Sequence, residues 1–415
     1  MTTEENRIMH VDGKNYIPNK LLDQMMDERD RHIRRIELAT ETKRKLIHAQ
    51  TLEEYKAVQI PDEFKVFGNY DKLAMDSYVS GFAMANNDGS PRCYYGNMGS
   101  LTSILFPVLF RGELCDYGVT SGFSSLGRKI RFDTSRENIE SNYFCFFVEQ
   151  IRRVIFMGFL SFFSQYRNFQ FGEPLDGLIA QHYGINTQYL DLTDDIKVAL
   201  FFASCKHTGK NQFRPITEGD ISDLSKNGVL YSGINDRAQV IGYQPFCRCH
   251  RQRGYYIDTA SMYPCWNFSL NSNTGFVKYY FDRTVKLSER LYDEFDGGKR
   301  LFPKDGLEPF GDVIQSINDT KLFPYESFEL AYVVLTKYLN VYHDNGIISD
   351  DLYRAMLNKD RLVTILRIEG FELCSQLNLP ADKAIIDAMN KSWNPDDFAK
   401  KEGILYSPFL VSTIT

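Results

Sequence analysis

The chain has 415 residues, 43% of them hydrophobic and 25% charged, with a net charge of −6 and an isoelectric point near 5.8. That length allows two or three domains of ~100–200 residues each, and the ordinary composition with 14% aromatics excludes extensive disorder. The acidic balance gives no electrostatic reason to expect nucleic-acid binding. The N-terminus, MTTEENRIMHVDGKNY, lacks an apolar run, so no secretory signal is expected. The most apolar window, Tyr143 to Phe163, is broken by Glu149, Gln150, Arg152 and Arg153 and reads as a buried helix rather than a membrane span. Eight scattered cysteines without a secretory context read as free thiols of a cytoplasmic protein.

From Asn19 to about Val58, Leu22, Met25, Met26, Ile33 and Ile36 recur at helical spacing, and Pro61 ends the pattern. This charged helix either packs on the body or pairs with a second copy as a short coiled coil. Asn86 to Pro91 is a dense run of turn formers and reads as a linker. Ile104 to Phe110 then reads as a buried strand ending at Arg111-Gly112. A polar loop from Gly118 to Arg136 and an apolar helix over Asn142–Phe163 follow.

Gln181-His182-Tyr183-Gly184 opens a thirteen-residue block rich in hydrogen-bonding side chains that ends at Thr193. The next segment, Asp194 to Ser204, reads as a helix with Thr193 as its N-cap and Asp194 and Asp195 in its first turn. Strand patterns at Val229–Tyr231, Gln239–Tyr243, Tyr255–Ile257 and Phe276–Phe281 follow without βαβ alternation. Beyond Phe302-Pro303 the spacing is helical over Ser327–Tyr342, Asp350–Cys374 and Ala381–Trp393. The expected fold is α+β, with a central mixed or antiparallel sheet. Residues 1–90 form a helical N-terminal segment, 91–320 the α+β domain and 321–415 a helical C-terminal domain.

Arg111 at a strand end, with Gly112 behind it, suits a phosphate or carboxylate, since a guanidinium grips either through two parallel hydrogen bonds. The plainer alternative is an ion pair that closes the sheet end. His182 can exchange a proton near neutral pH, with Asp191 orienting it or binding a ribose hydroxyl. Here the plainer alternative is a turn held by side-chain hydrogen bonds. Cys247-Arg248-Cys249-His250 with Cys265 is too irregular for a zinc site, and no metal is expected.

Several of these blocks together resemble the FRG domain family: Leu109-Phe110-Arg111-Gly112, Ser124-Ser125-Leu126-Gly127-Arg128, the QHYG-x-x-T-x-x-LD-x-T block and Ala199-Leu200-Phe201-Phe202-Ala203. Arg248-x-x-x-Gln252-x-Gly254-x-Tyr256 and Arg300 to Asp305 continue the series, which spans about Leu101 to Ile317. The sequence departs from the family at Gln188, where Arg is usual, and at Leu192, where Trp is usual. The resemblance implies bacterial or phage origin and, in some members, a defence or toxin setting. The order of parts is more distantly similar to ADP-ribosyltransferases, with Gln252 where a glutamate would stand.

That similarity implies NAD as ligand and a macromolecular target, or alternatively a non-catalytic module for a nucleotide or phosphate. It implies His182, Asp191 and Gln252 as catalytic residues. Arg111, Gly112, Ser124, Arg128, Gln181, Tyr183, Thr187 and Thr193 would bind the ligand, with Tyr183 able to stack on a ring.

Overall fold

The computed structural model describes residues 7–62, 108–132, 139–169, 174–209, 212–224, 226–235, 237–261, 268–272 and 275–402. The Asn86–Pro91 linker and the start of the Ile104–Phe110 strand lie outside them, as do Cys93 and Cys265.

The centre of the fold is one eight-stranded sheet in the order β1-β2-β10-β7-β3-β4-β9-β8. Its strands are β1 Met9–Val11, β2 Lys14–Tyr16, β3 Leu109–Glu113, β4 Tyr189–Thr193, β7 Asn227–Gly233, β8 Gln239–Val240, β9 Gly254–Asp258 and β10 Phe276–Asp282. Every neighbouring pair is antiparallel except β2 with β10, so the α+β reading with a mixed sheet holds. Two short pairs stand apart: β5 Cys205–Gly209 with β6 Gln212–Pro215, and β11 Leu322–Pro324 with β12 Glu372–Cys374.

Side chains alternate between two covered faces, as the two-residue period of a strand requires. Leu109, Val229, Tyr231 and Tyr280 enter one core, and Phe110, Leu230 and Phe281 enter another. Because both faces are buried, these strands read as continuous apolar runs. The second core is roofed by α1 Asn19–His48, α5 Ile196–Ser204 and α7 Val285–Glu294 through Leu22, Met26, Leu200 and Leu291.

A third core surrounds α3 Ile139–Leu160. It joins Phe147, Phe156 and Phe159 to Phe328, Leu335, Leu362 and Ile386. The last four belong to α8 Tyr325–Asp344, α10 Lys359–Ile368 and α11 Lys383–Ser392. The C-terminal helices therefore share their apolar interior with the middle of the chain.

Several element boundaries differ from the sequence reading. The strand at Arg111 continues to Glu113, because β7 pairs with it over its whole length. Thr193 ends β4 instead of capping α5: its hydroxyl donates to the Gln252 carbonyl at 2.9 Å, and Asp195 takes the N-cap by accepting from Lys197 N–H. The Cys247-to-His250 segment, considered above for its metal-ligand spacing, runs into the one-turn helix α6, Arg248–Arg251. The long pattern over Asp350–Cys374 breaks at Asn358, which caps α10, and ends in β12 because Leu322–Pro324 offers it a partner.

The N-terminal helix is tied to the body by an ion pair. Arg29 grips Asp195, whose side chain is 1% exposed, with both carboxylate oxygens engaged. Lys197 binds Asp30 of α1 and Glu294 of α7. Removing one partner of a largely buried pair leaves the other charge uncompensated. Arg29→Ala is expected to cost about 2 kcal/mol of unfolding free energy, and an unchanged urea midpoint would show that α1 does not brace α5. Among the described residues no helix is long and apolar enough to cross a membrane.

Candidate functional site

The sheet comes apart where β3 meets β4. These strands share a single residue pair, Phe110 opposite Thr193, whereas β4 and β9 pair along five positions. Beyond that pair they diverge, and the gap is the floor of a cleft of about 660 Å³. Arg111 bridges the split by donating from Nη1 to the Asp191 carbonyl at 2.9 Å. A polar chamber of about 330 Å³ adjoins the cleft and shares Arg111, Arg128, Gln181 and Asp191 with it.

Alternation along β3 places Arg111 and Glu113 on one face, and Arg111 Nε lies 3.4 Å from Glu113 Oε1. Glu113 is buried and saturated: Ser121 Oγ donates to it at 2.7 Å and Gly122 N–H at 2.9 Å. Arg128, from α2 Ser125–Phe132, lines the cleft too and gives one hydrogen bond to the Phe123 carbonyl. Burial, and then the charge of Arg111, lower its basicity. Each guanidinium keeps an Nη2 without a protein partner among the described residues. Two guanidinium groups with spare donors in one cavity have the chemistry to accept an anion.

Gly112 lines the cleft and also has a packing role. A Cβ there would lie 1.7 Å from the Ala199 carbonyl oxygen, so this glycine lets α5 lie directly on β3. The same contact brings Val198, Ala199 and Phe202 to the cleft wall.

His182 ends α4, Asp176–His182, and its side chain is 4% exposed. Nε2 stands 3.8 Å from Asp191 Oδ1, and neither buried atom has a hydrogen-bond partner. Burial, aided by Arg248, depresses the imidazole pKa against the opposing pull of Asp191, so His182 is neutral at physiological pH. Asp191 alternates with Leu190 and Leu192, which enter the core, and it is the more open carboxylate of the cleft. An unpaired neutral imidazole beside an unpaired carboxylate can accept and return a proton or hold a hydroxyl.

Of the other expected site residues, Gln181, Thr193 and Gln252 line the cleft, and Ser124 lines the polar chamber. Gln252 donates to the Leu301 carbonyl at 3.2 Å. Thr187 lines neither space: it exchanges backbone bonds with Ser125 Oγ and donates its hydroxyl to Gln181, fixing α2 against the QHYG turn. Tyr183 is likewise not in the wall. Its hydroxyl donates to Asp305, and the Arg248 guanidinium covers its ring at 3.9 Å, so the ring is unavailable for ligand stacking. Gln188 is fully buried toward α3, where it accepts from Gln150, and it lines neither the cleft nor the polar chamber. Asp194 is gripped by Arg253 at 2.6 Å and 2.7 Å and stays out of the cleft.

Asp305 has its pKa pushed up to about 6, chiefly by burial. A carboxyl with a raised folded-state pKa binds more protons folded than unfolded, so stability falls as pH rises from about 4 through 6. Asp305→Asn is expected to be neutral near pH 4 and to stabilise by about 1–3 kcal/mol at pH 8. Urea titrations at the two pH values check this, and equal midpoint changes at both would refute it.

Glu113 lines the cleft beside Arg111, and Tyr117, His207 and Phe213, which the sequence did not single out, line it too. Phe213 sits on the β5–β6 hairpin, where no motif marks it. Among the described residues no three His, Cys, Asp or Glu side chains gather to hold a metal ion. Cys115, Cys145, Cys205, Cys247, Cys249 and Cys374 are free thiols.

The geometry defines an α+β protein whose split sheet holds an arginine-lined cleft. The FRG domain model matches residues 107–212, which include Arg111, Arg128, His182 and Asp191. The chain is thus an FRG domain-containing protein, and the Arg248–Tyr256 and Arg300–Asp305 blocks lie beyond the matched region. No curated protein and no solved structure matches it.

Proposed function

We propose that the cleft binds a phosphate-bearing nucleotide, NAD first among the candidates, and cleaves its glycosidic bond. The observation that carries this reading is the pair Arg111 and Arg128, lining one cavity with donors to spare. The phosphate meets the arginines. Asp191 supports positive charge developing on the ribose, and His182 takes a proton from the attacking hydroxyl. Attack by water makes the chain an NAD hydrolase. Attack by a macromolecule makes it an ADP-ribosyltransferase, with the output of a toxin or defence effector.

Gln252 favours a second reading, a non-catalytic nucleotide-binding module, because the cleft position where the transferase resemblance would look for a glutamate carries an uncharged amide, which donates to the Leu301 carbonyl. A thermal-shift titration of the purified chain with NAD, ADP-ribose and ADP tests binding, and a rise in Tm is expected with each. Nicotinamide released from NAD then separates enzyme from module. Loss of its release in Asp191→Asn, with the Tm rise retained, would assign the chemistry to Asp191. No shift with any of the three rejects both readings.

A further inference from the structure

The wall of the cleft also contains Phe202, Phe213 and Phe302. They come from three separate places: Phe202 from α5, Phe213 from β6 and Phe302 from the turn after α7. Phe213 and Phe302 are stacked with centroids 5.3 Å apart and planes 28° from parallel, and Phe202 stands edge-on to both at 6.1 Å. His207, across the hairpin from Phe213 in the β5–β6 register, lies against that ring at 5.1 Å. Phe201 and Phe295, by contrast, are fully or nearly buried in the core beneath. The three wall rings are only partly buried and pack on the outside of that core, so apolar surface is left facing the cavity.

Resting on the phosphate reading above, we infer that Phe202, Phe213 and Phe302 form a ring subsite that seats the planar heteroaromatic base of the nucleotide. One cavity then holds an aromatic wall, with Arg248 5.8 Å from the Phe302 centroid and no cation over Phe202 or Phe213 among the described residues, together with the guanidinium groups of Arg111 and Arg128. That combination fits an amphiphilic ligand with a flat apolar end and an anionic end. Aromatic side chains hold bases by stacking in a way that tolerates the identity of the base. The hairpin that carries Phe213 and His207 thereby becomes the element that selects for a ring; it straddles the end of the matched FRG region, with His207 inside the match and Phe213 just past it. Tyr183 is excluded from this role by the cover of Arg248.

The test is calorimetric binding by the full chain of four probes: ADP, adenosine, ribose 5-phosphate and decyl phosphate. Wild type, Phe213→Leu, which keeps apolar bulk without the ring, and Phe213→Trp, which keeps a ring, are compared. The expected result is that Phe213→Leu weakens ADP and adenosine about tenfold and leaves ribose 5-phosphate unchanged, while Phe213→Trp retains ADP affinity. If ribose 5-phosphate binds but ADP binds no better, the ring subsite is wrong while the anion site stands. If decyl phosphate equals ADP and both survive Phe213→Leu, the wall is a general apolar surface and the inference falls. If adenosine alone binds and depends on Phe213, the ring subsite stands and the phosphate reading fails. If none of the four binds wild type, both fall.

Discussion

Gly112→Ala is expected to destabilise the protein by about 3 kcal/mol or more. The added methyl would stand 1.7 Å from the Ala199 carbonyl oxygen, 2.7 Å from its carbonyl carbon and 3.0 Å from Ala203 Cβ. Two of those atoms are backbone in the middle of α5, so no side-chain rotation can relieve the overlap. The helix must lift from β3, and Leu200 and Phe201, fully buried beneath it, lose their packing. Because Val198, Ala199 and Phe202 form part of the cleft wall, ligand binding should fail together with stability. Gly158→Ala is the control: nothing lies within 4 Å of its added methyl, and in the last turn of α3 alanine should be neutral or stabilise by up to about 1 kcal/mol. Chemical denaturation of both variants measures this. A Gly112→Ala protein with the wild-type midpoint would mean that α5 and β3 do not sit as closely as described.

Arg111→Ala is expected to remove the Tm rise caused by NAD, ADP-ribose or ADP, with affinity reduced about 30- to 100-fold, equivalent to about 2–3 kcal/mol. The unliganded fold should survive the change. Glu113, the carboxylate that Arg111 faces, keeps its bonds from Ser121 and Gly122, and the Asp191 carbonyl loses a single donor. The free variant should therefore lose only about 1 kcal/mol. Arg111→Lys keeps the charge but not the fork of donors, so it should recover part of the affinity at most. Circular dichroism with calorimetric titration separates the outcomes. If Arg111→Ala unfolds the chain, or if it binds as wild type does, Arg111 is a sheet brace and the anion site must be sought elsewhere.

The sheet class and the long helices were legible because each rests on a local period. β3, β7, β9 and β10 carry runs of Val, Ile, Leu, Tyr and Phe, and α1, α3 and α8 carry apolar residues at helical spacing. Boundaries were lost where a distant partner outbid local preference. Thr193 accepts from the Asp195 N–H as a capping residue would, but its place in β4 and its bond to the Gln252 carbonyl, fifty-nine positions away, leave the N-cap of α5 to Asp195. Tyr189 to Thr193 looked like a turn because its polar residues concealed a strand that forms by pairing with β9. β1 and β2, from the segment expected to be helical, joined the sheet because the edge of β10 was open to them.

By itself the sequence determined which side chains can do chemistry near a strand carrying Arg111 and a turn carrying His182, since residue type and short-range spacing are local properties. Tertiary structure alone decided that β3 and β4 part after one residue pair, opening a cleft with Arg111, Arg128, His182 and Asp191 in its wall. It also decided that Tyr183 is spent on Arg248 and Asp305, that Gln188 faces α3, and that Phe213 reaches the wall from a hairpin without a motif. The physical reason is the same in each case. A cavity forms where packing stops, and where packing stops depends on how strands and helices from distant parts of the chain meet, which no local spacing encodes.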